Sequence, residues 1–316
     1  MKSLVRPVQI QDIADFEKIW REFILSETNE VDRFLHPLKF SGSAFLLSKL
    51  WKFFFSETSF WDNFLVYEVD NKIAGFMEIF SPGSKAYQFF IRNFVISRAF
   101  RNRGYGSAFL KEIIKRFSSS GGREIFLEVR HDNRAVNFYK KSGFINIASR
   151  YYMTLLKDNE KLEKEKSPGF RSWNHSSDRD KLNDLMEGSS MVALINLIPF
   201  FPRCNYIDHY LDNLFFKLKR QRLDVYVLEN DKNFQAYGVI YSYFKHNKAL
   251  LEIIFNPGIS HTVIEDFLKA IIDRIKPETN ILFSFMDTQK VAGSVFKELG
   301  GSPYRENIIM RFASSD

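Results

Sequence analysis

The chain has a single cysteine, Cys204, in 316 residues. That excludes an intramolecular disulfide framework. With no nucleophile pattern around it, Cys204 is expected to be buried and inert. Long apolar runs are missing too. The longest candidate, residues 191–202, is broken by Asn196 and falls short of the roughly 20 apolar residues of a membrane helix. The opening Met1-Lys2-Ser3-Leu4-Val5-Arg6-Pro7 lacks the apolar core and small-residue cleavage site of a signal peptide. A cytoplasmic location without a membrane partner is therefore expected. The histidines (His36, His131, His175, His209, His246 and His261) show no metal-ligand spacing, and no metal is expected. Acidic residues run short in one part only. Residues 1–157 carry 24 Lys and Arg against 16 Asp and Glu, and 21 and 22 remain for the rest. The whole positive excess lies in the first part. It fits a polyanionic partner, nucleic acid or a phosphate-rich cofactor, and equally a solvated basic surface.

What is present is ample core material: 45% apolar residues, 34 of them Phe. At roughly 100–200 residues per domain, the length suggests two domains. A charged stretch from Lys157 to Lys166, closed by Ser167-Pro168-Gly169, reads as the linker between them. The expected division is 1–157, a linker over 158–169, and 170–316. In the first part, period-2 and period-3.6 patterns predict strands over 5–10, 64–69, 73–80, 86–96, 124–129 and 144–155. Helices are predicted over 12–25, 43–55, 105–117 and 134–142. A meander followed by alternating strands and helices indicates a mixed α/β sheet. The second part repeats the first at an offset of about 160 residues. Val225-Tyr226-Val227 parallels Val66-Tyr67-Glu68, and Gly238 parallels Gly75. Residues 267–272 parallel 109–114, and Phe296-Lys297-Glu298-Leu299-Gly300 parallels Tyr139-Lys140-Lys141-Ser142-Gly143.

The chemistry concentrates in Arg101-Asn102-Arg103-Gly104-Tyr105-Gly106-Ser107. Gly104 and Gly106 allow close backbone approach to a ligand. The helix that starts there leaves its first N–H groups without intrahelical partners and favours an anion. Arg101 and Arg103 add charge beside it. The arrangement suits a pyrophosphate, and it also suits a tight turn before a surface helix. Downstream stands Leu127-Glu128-Val129-Arg130-His131-Asp132-Asn133-Arg134-Ala135-Val136-Asn137-Phe138-Tyr139-Lys140-Lys141-Ser142-Gly143-Phe144.

Together these segments resemble the GNAT N-acetyltransferase superfamily over about residues 1–157. The loop is similar to its acetyl-CoA motif, [QR]-x-x-G-x-[GA]. The later segment is similar to N-x-x-A-x-x-[LF]-Y-x-K-x-G-F. The resemblance implies two tandem domains, each a mixed, mostly antiparallel sheet with a V-shaped opening between two central parallel strands, here ending near Ile96 and Val129. It implies that backbone of Phe94, Val95 and Ile96 pairs with the pantetheine amides of acetyl-CoA and helps polarise the thioester. It implies that the amides of Asn102, Arg103, Gly104, Tyr105, Gly106 and Ser107 hold the pyrophosphate. A primary amine then attacks the acetyl carbonyl directly. Tyr139 falls where the family places the acid that reprotonates the departing thiolate.

The base is less plain, because the strand before the loop, Phe90-Ile91-Arg92-Asn93-Phe94-Val95-Ile96, has no carboxylate. The stretch 127–130 resembles the subgroup that acetylates protein N-termini, including the ribosomal-protein enzymes, where the Glu of this strand is the proposed base. Glu128 is therefore the first candidate, with Glu78 second and a water relay open. One departure concerns Asn133. The family's Asn-to-Tyr interval is one longer than Asn133 to Tyr139, so either the loop is shorter or Asp132 takes the Asn place. Asn133 is carried as a cofactor contact with that alternative open.

In the second part the loop region reads Ile259-Ser260-His261-Thr262-Val263-Ile264, without the glycine motif, and Phe296 replaces Tyr139. It resembles a degenerate GNAT domain that completes the fold or shapes the substrate pocket. The expected acceptor is a small-molecule amine or a peptide N-terminus, and nucleic acid is not expected as a partner. The competing readings are a non-catalytic CoA-binding sensor or interaction module, and a tRNA-using aminoacyl transferase built from tandem GNAT folds. The intact loop argues against the last, since those enzymes do not use CoA.

Overall fold

A computed structural model describes residues 3–27, 60–80, 87–158, 169–188, 221–230, 233–256 and 258–314. The expected helix over 43–55, its Phe53-Phe54-Phe55 cluster, most of the linker, and Cys204 lie outside them. Among the described residues the chain runs through the same nine elements twice. The first series is β1 (Ser3–Pro7), α1 (Ile13–Glu27), β2 (Phe64–Val69), β3 (Lys72–Phe80), β4 (Gln88–Ile96), α2 (Tyr105–Ser119), β5 (Glu124–Arg130), α3 (Ala135–Lys141) and β6 (Ile145–Leu156). The second is β7 (Phe170–Ser172), α4 (His175–Gly188), β8 (Gln221–Asn230), β9 (Asn233–Tyr243), β10 (Lys248–Phe255), α5 (His261–Asp273), β11 (Asn280–Met286), α6 (Lys290–Glu298) and β12 (Ser302–Ala313). No helix among the described residues is long and apolar enough to cross a membrane.

The pairings repeat as well. β1–β2, β2–β3 and β3–β4 are antiparallel and β4–β5 is parallel. In the second series β7–β8, β8–β9 and β9–β10 are antiparallel and β10–β11 is parallel. This is the mixed α/β architecture expected from the sequence, duplicated. A side-chain cluster marks the duplication independently. Arg6 at the end of β1 binds Asp12 (2.6 Å) and Glu68 (2.8 Å), and the Gln9 N–H donates to Asp12 (2.8 Å). Arg171 on β7 binds Asp178 (2.6 Å) and Glu229 (2.6 Å), and the Asn174 N–H donates to Asp178 (2.7 Å). In each case a carboxylate near the start of the first helix satisfies an orphan N–H there, and the arginine ties it to the second strand.

The compact units are not the contiguous stretches 1–157 and 170–316. One comprises Met1–Glu128, Arg134–Ile145 and Met310–Asp316, the other Val129–Asn133 and Asn146–Ile309. Strand β6 beyond Ile145 therefore counts with the second unit, where it pairs antiparallel with β11 from Arg150–Met286 to Leu156–Asn280. The last seven residues count with the first. There Arg311 Nη1 donates to Glu124 (3.1 Å), the Ser314 N–H donates to the Arg123 carbonyl (2.8 Å), and Phe312 packs on Phe144 at 5.6 Å.

In the first unit α1 lays Ile13, Phe16, Ile19, Trp20 and Ile24 against Phe64, Val66, Phe76 and Val95. Phe16 meets Phe76 at 4.4 Å between centroids and Phe64 edge-on at 5.1 Å. The helix is amphipathic at the spacing that buries one stripe, and that stripe is why it forms where the sequence predicts it. The β2–β3 hairpin turns through Asp70 (φ 46°) and Asn71 (φ 61°), two residues that tolerate the left-handed backbone a two-residue turn requires.

Candidate active site in the first unit

The site begins where two strands part. β4 and β5 are paired in parallel from Gln88–Glu124 to Ile91–Leu127 and no further, although β4 runs on to Ile96 and β5 to Arg130. The parting coincides with a bulge. β3 pairs Glu78 with Asn93 and Ile79 with Ile91, which leaves Arg92 as the extra residue of β4. An extra residue bends its strand and sharpens its twist.

Glu78 holds this bulge. Its carboxylate is buried, and it accepts from Arg92 Nη1 (3.2 Å) and from Asn93 Nδ2 (2.5 Å). Both oxygens are thus engaged by the two residues at which β4 leaves β5. Sequence inspection alone misses Arg92 and Asn93, because their role depends on the register shift. Glu128 sits half-buried on β5, one residue beyond the last parallel pair.

Past β4 the chain makes a short 3-10 turn, Arg98–Phe100, and enters the glycine loop. Asn102 (φ 59°) and Gly104 (φ 80°) are both left-handed. Such turns can aim successive N–H groups into one concavity, a nest for anions. Gly104 is the N-cap of α2 and no side chain caps this helix start. A Cβ on Gly104 would meet nothing within 4 Å, so only its backbone conformation demands glycine. A Cβ on Gly106 would meet Ile96 Cγ1 at 3.6 Å, an ordinary contact. The protein's own packing therefore does not require glycine at Gly106, and the cleared space lies at the helix start. Arg101 turns partly inward, with Nε donating to the Ile96 carbonyl at 2.8 Å. It pins the free end of β4 to the loop.

Aromatic rings fill the floor. Phe94 of β4 lies 5.5 Å from Phe109, 5.9 Å from Phe138 and 6.5 Å from Tyr139. Tyr139 on α3 is 7% exposed and also packs edge-on against Phe144 at 5.7 Å. Burial pushes its phenol well above the ordinary tyrosine range, so it keeps its proton. The first unit contains the strand end 94–96, the loop 101–107, Glu128 and Tyr139, with Tyr139 against Phe94 and Arg101 tied to Ile96. Asn133 counts with the second unit. Its neighbour Asp132 is committed to Arg130, which donates through Nε (3.0 Å) and Nη2 (2.7 Å) and holds that carboxyl below its usual range.

The second unit has the same strand pair without these parts. Ser284 is the β11 residue that corresponds to Glu128 by register, the fifth from the start of the parallel ladder. The α5 start is capped from within, where Ser260 Oγ accepts from the Val263 N–H at 3.4 Å. Phe296 is fully buried and packs tilted against Phe283, 4.5 Å between centroids. An ion pair, Arg150 with Glu252, is buried across the last parallel rung, and Arg150 Nη2 also donates to Ser284 Oγ at 2.9 Å.

Residues 29–144 match the model of the acetyltransferase (GNAT) family. No curated protein matches the chain in sequence. Among solved structures, a tandem GNAT protein from the clavulanic acid biosynthesis pathway is similar over 100% of both chains, with 12% identity and a TM-score of 0.61. A GCN5-related N-acetyltransferase from Sphaerobacter thermophilus is similar over 98% of this chain and 95% of its own, at 9% identity and a TM-score of 0.61. A putative acetyltransferase from Pyrococcus horikoshii covers 99% and 90%, at 16% identity and a TM-score of 0.58. At these identities the likeness is one of fold.

Proposed function

We propose that this chain, which belongs to the GNAT acetyltransferase superfamily and carries its fold in tandem, moves the acetyl group of acetyl-CoA to a primary amine in its first unit. The observation that carries the reading is the coincidence of two openings. The parallel ladder stops at Ile91–Leu127, and the uncapped start of α2 follows on the same strand–loop–helix path. The first offers backbone groups to an amide-bearing arm, and the second offers N–H groups to a pyrophosphate. The residues fit such a ligand: left-handed Asn102 and Gly104, and room at Gly106. Bound acetyl-CoA supplies an activated thioester.

In this reading the N–H groups of residues 102–107 hold the pyrophosphate, and the backbone of residues 94–96 orients the arm. Glu128 takes one proton from the acceptor ammonium, and the freed amine nitrogen bonds to the acetyl carbon. As the carbon–sulfur bond breaks the nitrogen sheds a second proton, which restores the Tyr139 phenol after it has protonated the sulfur. Tyr139 gives its proton to the sulfur. Burial raises the phenol, and the same dry surroundings raise a thiol, so the transfer is better matched than solution values suggest. Glu78, with both oxygens held by Arg92 and Asn93, holds the bulge rather than taking the proton. The acceptor class is a small-molecule amine or a peptide N-terminus, and acetyl-CoA is the polyanion that the basic first part answers.

The test is a screen of amine acceptors with acetyl-CoA and detection of released thiol. Ligand at about 100 times its Kd would add about 2.7 kcal/mol of stability, a rise of several degrees in Tm. No rise at millimolar acetyl-CoA would sink the reading. Binding with no thiol release from any amine would favour a CoA-binding sensor.

A further inference from the structure

The second unit repeats the parting strands and then closes the gap. β10 and β11 pair in parallel up to Glu252–Ser284. Past that rung β11 stays with β6 as far as Met286, while β10 continues to Phe255. Gln289, in the short turn between β11 and α6, comes back against β10 with only 8% of its surface exposed. In the amide orientation that satisfies both partners, Nε2 donates to the Ile253 carbonyl (3.1 Å) and Oε1 accepts from the Phe255 N–H (2.9 Å). Groups of Ile253 and Phe255 point to one side of the strand and those of Ile254 to the other. An amide that gives to one residue and takes from the next but one makes a rung of a parallel ladder. Gln289 builds that rung with a side chain, at the level where the main chain of β11 has left.

We propose that Gln289 is the built-in occupant of the second unit's ligand slot. Its amide takes the backbone rung that the first unit leaves open past Ile91 for an amide-bearing arm. The proposal rests on the reading of the first slot given above. It follows that each chain takes one cofactor, in the first unit, and that β10 is closed by a residue of the chain itself. The two slots then differ in more than the glycine loop.

Hydrogen exchange on the full chain, read at residues 92–96 and at the Phe255 amide, tests this. In the unaltered protein Phe255 is protected without ligand, and CoA slows exchange at 92–96 while leaving Phe255 unchanged. Gln289→Met keeps the bulk and removes the amide, and Phe255 then exchanges about tenfold faster. Gln289→Ala, checked by circular dichroism to be folded, vacates the slot, and millimolar pantetheine restores protection at Phe255. CoA slowing Phe255 in the unaltered chain overturns the proposal, as does unchanged Phe255 exchange in Gln289→Met. Failure of pantetheine to protect folded Gln289→Ala overturns the assignment of the slot to an amide arm. CoA that slows neither stretch overturns the first-slot reading instead, and the methionine variant still reads the rung by itself.

Discussion

In the proposed reaction Tyr139 and Glu128 would carry opposite halves of the proton traffic, and their surroundings differ. Tyr139 is packed among Phe94, Phe138 and Phe144 and keeps its proton through burial. Tyr139→Phe retains that packing and removes only the hydroxyl. Turnover is expected to fall by about 10²-fold or more, the usual worth of a positioned acid, with acetyl-CoA affinity little changed. Equal turnover in steady-state assays would remove Tyr139 from the reaction. Glu128→Gln is expected to abolish the low-pH limb of kcat/KM, and an unaltered profile would return the base to Glu78 or to water. These two candidates could be named from the sequence because each sits in a contiguous motif. Glu78 was legible only as a carboxylate. What it does depends on Arg92 being the extra residue of β4, and no pattern along the chain announces a register shift. Gln289 gave no signal at all, since a glutamine before a helix is ordinary until its amide is seen against β10.

At the scale of elements, hydrophobic periodicity located most strands and helices, and the repeat of nine elements confirms the duplication suggested by short matches. The Arg–Asp–Glu cluster that ties the first strand, first helix and second strand together was not legible. Its members lie far apart in sequence and the interval from Arg to Asp differs between copies, Arg6 to Asp12 against Arg171 to Asp178. In the second copy burial alone would raise the Asp178 carboxyl. Hydrogen bonds from Arg171, the Asn174 N–H and Ser177 outweigh it and leave it below its ordinary 3.8. Lys181 and Arg171 lower Glu229 as well. A carboxyl lowered in the folded state stabilises fully above its unfolded value, and that stability is lost as pH falls through the folded value. The second unit is therefore expected to lose stability below about pH 4, seen as a falling Tm in an acid series. Arg171→Ala should lower stability at neutral pH by about 2 kcal/mol, discounted for the partly exposed arginine, and should flatten the acid dependence. A variant with an unchanged acid series would show that the Asn174 N–H and Ser177 hold Asp178 without the arginine.

At the scale of the whole molecule, the charged linker suggested two self-contained halves, and the compact units are instead assembled from exchanged ends. The last strand of the first series counts with the second unit, and Met310–Asp316 count with the first. Nothing along the chain could reveal this, because β6 and β12 each read as the natural end of its own half. The consequence bears on the proposed active site. Glu124 opens β5 and starts the parallel ladder, and it is held by Gln88 Nε2 (2.7 Å) and by Arg311 Nη1 (3.1 Å). Phe144, just after α3, is buried against Phe312. A chain ending at residue 309 should therefore lose about 2–5 kcal/mol in the first unit, the cost of deleting the buried Met310 side chain, with Phe144 uncovered besides. Acetyl-CoA affinity should fall with it, although the truncation touches neither the glycine loop nor Tyr139. Residues 1–157 alone should bind acetyl-CoA poorly, and a synthetic peptide of residues 305–316 added in trans should recover part of that binding. Titration calorimetry on the three preparations decides the matter. A 1–157 fragment with the affinity of the full chain would mean that the first series folds and works without its exchanged end.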